Sequence, residues 1–207
     1  MLPKRLIDIL NEHDPEDIAI SITKIDYETN NLNFIIKVSG FGYNDEENYE
    51  YRWTVNVIQY RTSKISLNFA SSISISDNHP VLWQFSDKQS QLYFNGNCND
   101  VDKLFLDLYR THNICFEGLI DFEDTINQSD SLDHLLKSKN GLLATGPNKL
   151  MIMYADVLTK HNMNYSIIGD RVPTFWDGEK HVSETGKAKV MFMDNFYIVA
   201  DDFDFVS

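Results

Sequence analysis

The 207-residue chain is 43% hydrophobic and 13% aromatic, which provides for a substantial core and excludes a disordered or fibrous protein. Eighteen Lys and Arg against 31 Asp and Glu leave a net charge of −13, which repels a phosphate backbone and argues against nucleic-acid binding. No run is long and apolar enough to read as a membrane span, MLPKRLIDILNEH lacks a continuous secretory core, and two cysteines make no disulfide framework; the expectation is a cytoplasmic protein with reduced thiols.

Taken in chain order, Leu2, Leu6, Ile9 and Leu10 fall near one face of a short amphipathic helix, which Pro15 stops. In DIAISITKIDY the alternation of Ile18, Ile20 and Ile22 shifts phase to Ile25 and Tyr27, the signature of a strand with a bulge. ETNN reads as a turn and LNFIIKVSG as the returning strand. After the polar stretch YNDEEN, Tyr49, Tyr51, Trp53, Val55 and Val57 alternate with polar residues in the clearest half-buried strand of the chain. KISLNFA, SISIS and QLYFNG repeat that pattern, so the first half reads as an antiparallel meander of about five strands.

At Asn99 the period changes to that of a helix, with Val101, Leu104, Phe105, Leu108 and His112 on one stripe and Asn99 or Asp100 as the N-cap. LIDFEDTI and LDHLLKS predict short helical pieces linked by NQSDS. Pro147 opens a further helix that carries Leu150, Met151, Tyr154, Val157 and Leu158 on one face and ends at HNMN. YSIIG, KAKVMFM and FYIVADDFDF follow as strands, with a bend at DRVPTFWDGEK between the first two. Helix, strands, helices and strands in that order predict an α+β fold, a mainly antiparallel sheet packed with two or three amphipathic helices. One domain spans residues 1–207, with a candidate subdivision into 1–139 and 140–207.

Several motifs invite chemistry. GLLATGPNK resembles a phosphate loop only loosely, because Pro147 and Asn148 separate its second glycine from Lys149 and no Ser or Thr follows; a turn that starts a helix explains it better. His112 and Cys115 stand three apart, but a zinc site needs four ligands and a reactive thiolate needs an electropositive setting. Their neighbourhood is the opposite: residues 111–136 hold Glu117, Asp121, Glu123, Asp124, Asp130 and Asp133 with no Lys or Arg. Structural roles are expected for both, with no metal and no cofactor. FWDGEKH reads as a hairpin tip built on Asp177 and Gly178. The closing Asp202 and Asp204 would lie on the wet face of a last strand, opposite Phe203 and Phe205, with Asp201 on the phenylalanine side or at a bulge.

The acidic stretch also contains Phe116, Leu119, Ile120, Phe122 and Ile126, so it reads either as a solvated helix face or as a docking surface for a basic protein. The favoured function is a non-enzymatic binding module of inhibitor, immunity or adaptor type. The alternative is a small-ligand protein or enzyme with an aromatic pocket of Trp53, Trp83, Tyr93 and Trp176 and acid/base groups Asp77, His79 and His181. A homo-oligomer held by exposed aromatic strands is a third reading.

Overall fold

The computed structural model describes residues 1–28, 31–40, 48–65, 68–128, 134, 137–176, 179–184 and 186–206. Its elements in chain order are α1 (Lys4–Glu12), β1 (Ile18–Glu28), β2 (Asn31–Gly40), β3 (Tyr49–Lys64), β4 (Ser74–Ser76), α2 (Trp83–Ser86), β5 (Gln89–Asn95), α3 (Val101–Phe116), β6 (Asn140–Pro147), α4 (Asn148–Lys160), β7 (Asn164–Arg171), β8 (Thr174–Trp176), β9 (His181–Ser183), β10 (Lys189–Met193) and β11 (Phe196–Val206). The fold is α+β with antiparallel sheet. The chain divides into two compact units, one of Met1–Leu82, Phe175–Val182 and Lys187–Ser207 and one of Trp83–Thr174 and Ser183–Gly186. The boundary expected at residues 139 and 140 coincides with the start of β6, inside the second unit.

The first unit is built on a six-stranded sheet in the order β1-β2-β3-β11-β10-β4. Alternation places Phe34, Ile36 and Val38 of β2, Trp53, Val55 and Val57 of β3, and Ile198, Ala200 and Phe203 of β11 in one buried cluster, onto which α1 lowers Leu6 and Ile9. The phase shift in β1 is a register break between Ile22 and Lys24. Bends of this kind let the sheet curl. At the β1 edge Ile20 forms an isolated bridge with Ala70, of the segment that precedes β4, through hydrogen bonds of 2.7 and 2.8 Å. Gly40 sits where any β-carbon would collide with the Tyr49 hydroxyl and the Asp17 carbonyl, so glycine is required by space rather than by its backbone angles.

The expected five-strand meander stops at three. β4 does not pair with β3; the C-terminal hairpin β10–β11 lies between them. The reason is length: β11 offers eleven residues and nine register partners to the 16-residue β3, whereas β4 has three residues. Of KISLNFA, Lys64 ends β3, Ala70 makes an isolated bridge, and residues 66 and 67 lie outside the described set. QLYFNG belongs to the second unit's sheet. ETNN and YNDEEN fall largely outside the described residues, as do Asp177 and Gly178 of the expected hairpin tip.

The closing aspartates are spoken for. Asp202 meets Lys189 at 2.8 Å across the β10–β11 ladder and Asp204 accepts from Asn56 at 3.5 Å. Thr62 faces Val199 and Tyr60 faces Ala200, which leaves Arg61 as the extra residue of a bulge; its guanidinium reaches Asp201 at 2.9 Å and lies over the Phe175 ring.

The second unit carries a three-stranded sheet, β6-β5-β7, with α3 and α4 packed together. Asp100 caps α3 by accepting from the Lys103 amide at 3.0 Å. α4 follows β6 directly, and the expected face of Leu150, Met151, Tyr154, Val157 and Leu158 is buried throughout.

Candidate partner-binding groove

The acidic stretch begins where α3 ends. Glu117 and Gly118 both adopt left-handed angles, φ +53° and +78°, and the Glu117 amide closes on the Asn113 carbonyl at 2.8 Å. A β-carbon at Gly118 would meet nothing, so the angle alone calls for glycine there. The chain then runs beside β6, held by Ile126 bridging to Ala144 and by the Asn127 amide donating to the Leu143 carbonyl at 2.9 Å.

A single turn of 3₁₀ helix at Phe122–Asp124 sorts the side chains: Phe122 and Thr125 point inward, while Asp121, Glu123 and Asp124 are exposed. Phe122 sits edge-on to Phe105 at 5.9 Å and to Tyr109 at 5.7 Å, and those two rings stack at 6.3 Å on the outer side of α3. They remain 42% and 44% exposed although the periodicity of α3 would put Phe105 in the core stripe.

The concavity is a groove of about 840 Å³ lined by aromatic rings, by Asp121, Glu123 and Asp124, and by the amides Asn113, Asn127 and Gln128, with no Lys or Arg among the described residues of its wall. Glu123 and Asp124 make no ion pair among the described residues, in contrast to Asp107 with His161, Asp201 with Arg61 and Asp202 with Lys189. Gln128 fixes the turn by donating to the Glu123 backbone carbonyl at 2.8 Å.

Beneath the turn lies a closed polar network. His112 is fully buried, with Nε2 2.8 Å from the Ile120 carbonyl and Nδ1 2.8 Å from the Tyr154 hydroxyl. A carbonyl only accepts, so Nε2 carries the proton and Nδ1 accepts from Tyr154. Thr125 Oγ1 donates to the Phe122 carbonyl at 3.0 Å and stands 3.1 Å from the Tyr154 hydroxyl. Burial holds the His112 pKa below its ordinary value, against the opposing pull of the Ile120 carbonyl, Asp121 and Asp124. Both ring nitrogens are engaged, so neither is open to a metal or a substrate proton. Burial also pushes the Cys115 thiol up to about 11, far from a reactive thiolate.

Of the predicted docking residues, Asp121, Glu123 and Asp124 line the groove, Glu117 is exposed at the helix end beside it, and Asp130 and Asp133 lie outside the described residues. Phe105 and Tyr109 were not legible as site residues, because a helical stripe predicts only which face is apolar.

The alternative pocket residues are distributed across both units. Trp53 is enclosed in the first unit's core, 5% exposed. His79 accepts the Val81 amide through Nδ1 at 3.2 Å and packs edge-on against Phe192, with Asp77 exposed in the preceding turn. Trp176 and His181 are brought together, ring to ring at 5.3 Å. In the second unit Trp83 packs on Phe116 beneath the Lys149 ammonium, and Tyr93 donates to Gln91 at 3.2 Å.

The loosely phosphate-loop-like GLLATGPNK is a strand followed by a helix start. Asp87 accepts the Lys149 amide at 2.7 Å, so a carboxylate of the chain occupies the helix N-terminus that a phosphate would need.

Among the described residues no group of three or more His, Cys, Asp or Glu could hold a metal ion, and no helix is long and apolar enough to cross a membrane. No protein-family model matches the chain and no curated protein matches it, so its functional reading rests on its own residues.

Proposed function

We propose that the chain is a non-enzymatic protein-binding module that engages a basic partner through the groove between α3 and residues 118–128. The observation that carries this reading is the coincidence, in one concavity, of two half-exposed aromatic rings and the carboxylates of Glu123 and Asp124, which make no ion pair among the described residues. Aromatic groups supply contact area at a low entropic cost, and an unneutralised acidic rim accelerates encounter with a basic surface and disfavours acidic ones. The net charge of the whole chain, −13, adds long-range attraction of the same sign.

The test compares proteins retained by the wild-type chain and by the Glu123→Lys/Asp124→Lys double variant at low and physiological salt. A basic protein bound by the wild type, released by added salt and lost from the double variant supports the reading. Identical binding profiles for the two chains remove it.

A further inference from the structure

Resting on that reading, we infer that the side chain seated in the groove is an arginine from an extended basic segment, its guanidinium lying on Phe105 and Tyr109 and its nitrogens directed at Glu123 or Asp124. Three features separate arginine from a generic cation. The Phe105 and Tyr109 rings are within 17° of parallel and both line the groove, so they offer flat faces of one orientation to a flat group entering it. A guanidinium is flat and weakly hydrated and stacks on aromatic faces, whereas an ammonium is a compact, strongly hydrated charge that gives up more water on entering such a slot. The rim supplies carboxylates, the acceptors that a guanidinium fork engages through two hydrogen bonds at once.

The surroundings argue for a peptide segment rather than a single free cation. A groove of about 840 Å³ is sized for several residues, and its amides at Asn113, Asn127 and Gln128 offer polar contacts along its wall. A nucleic acid would bring phosphates to a wall with three carboxylates and, among the described residues, no Lys or Arg.

The experiment titrates ¹⁵N-labelled full-length protein with three capped pentapeptides, Gly-X-Gly-X-Gly, in which X is arginine, lysine or citrulline. The arginine peptide is expected to shift amides within residues 105–128, to bind about fivefold more tightly than the lysine peptide, and to lose that advantage in Tyr109→Leu and Phe105→Leu, which keep apolar bulk but no ring. Citrulline, flat but uncharged, is expected not to bind. Glu123→Gln/Asp124→Asn is expected to weaken both cationic peptides alike, and thermal melting of each variant separates loss of binding from loss of fold. Equal affinity for arginine and lysine peptides, with no response to the ring substitutions, overturns the arginine assignment and leaves the basic-partner reading standing. Shifts outside the groove, or no binding by either cationic peptide, overturn both.

Discussion

The Nδ1 atom of His112 lies 2.8 Å from the hydroxyl of Tyr154, joining α3 to α4 through a hydrogen bond that spans 42 residues of chain. Removing the hydroxyl with Tyr154→Phe leaves a buried imidazole lone pair without its donor, at a cost of about 1–3 kcal/mol. Chemical denaturation of the variant is expected to show that loss with little change in the denaturant slope, since the packing ring remains.

The same histidine sets a pH window. Its folded pKa lies below the unfolded value of about 6.5, so the unfolded chain takes up a proton first as pH falls. The stability that a neutral His112 contributes is complete above that value and is lost as pH falls toward the folded pKa. Melting curves from pH 8 to pH 5 should show a decline that is smaller in His112→Gln, which has no proton to gain.

The two cysteines should differ in reactivity. Cys115 is buried with its thiol raised to about 11, while Cys98 is partly exposed and lies 3.2 Å from the Asp100 carbonyl. Brief alkylation of the native protein at pH 8, read by mass spectrometry, is expected to label Cys98 first and Cys115 only when denaturant is present.

Much of the fold was legible because its strands are half-buried. Alternation in residues 18–28 located even the bulge of β1, and the apolar face predicted for residues 148–160 is the buried face of α4. Pairing order was not legible, since a period of two says which face is wet and nothing about which strand lies alongside; the place of β11 next to β3 depends on matched lengths far apart in sequence. β6 was missed because Gly141, Gly146 and Pro147 weaken its propensity, which pairing with β5 overrides. At the groove, the charge run pointed to Asp121, Glu123 and Asp124, whereas the rings opposite them come from α3, and only the turn at Glu117 and Gly118 brings the two together.

Arg61 and Asp201 should respond unequally to substitution. The Arg61 side chain is 1% exposed and that of Asp201 28%, so an Asp201 without Arg61 can hydrate, whereas an Arg61 without Asp201 stays out of water and keeps its bond to the Gln59 carbonyl while losing its charged acceptor. Asp201→Asn is expected to cost about 3 kcal/mol, the lower end for breaking a buried pair because one partner touches water. Arg61→Met should cost less, since its chain can still cover Phe175, and the double variant should resemble Arg61→Met alone. Urea denaturation of the three proteins checks the order, and equal costs for the two single variants would contradict the burial argument.

Asp194 ties the β10–β11 turn to the segment that precedes β4. It stands at φ +50° in the turn between β10 and β11, where its carboxylate accepts the Ser71 amide at 2.7 Å, the Ser72 amide at 3.1 Å and the Ser72 hydroxyl at 2.7 Å. Those bonds hold the segment that follows Ala70, whose bridge to Ile20 lies on the β1 edge of the sheet. Burial by itself would raise the carboxyl's pKa, but the donors from Ser72 and Ser71 outweigh it and hold it lowered. A lowered folded pKa means stability that is present above the unfolded value of about 3.9 and lost as pH falls through the folded one. Asp194→Asn keeps a residue that tolerates the left-handed angle and loses the charged acceptor, for about 1 kcal/mol. Asp194→Ala loses every accepted bond and strains the backbone as well, for about 2–3 kcal/mol. Hydrogen exchange gives the sharper readout: the Ile20 and Ala70 amides should lose protection in Asp194→Ala before the β2–β3 ladder does, and uniform loss across the sheet would show that the turn does not govern this edge.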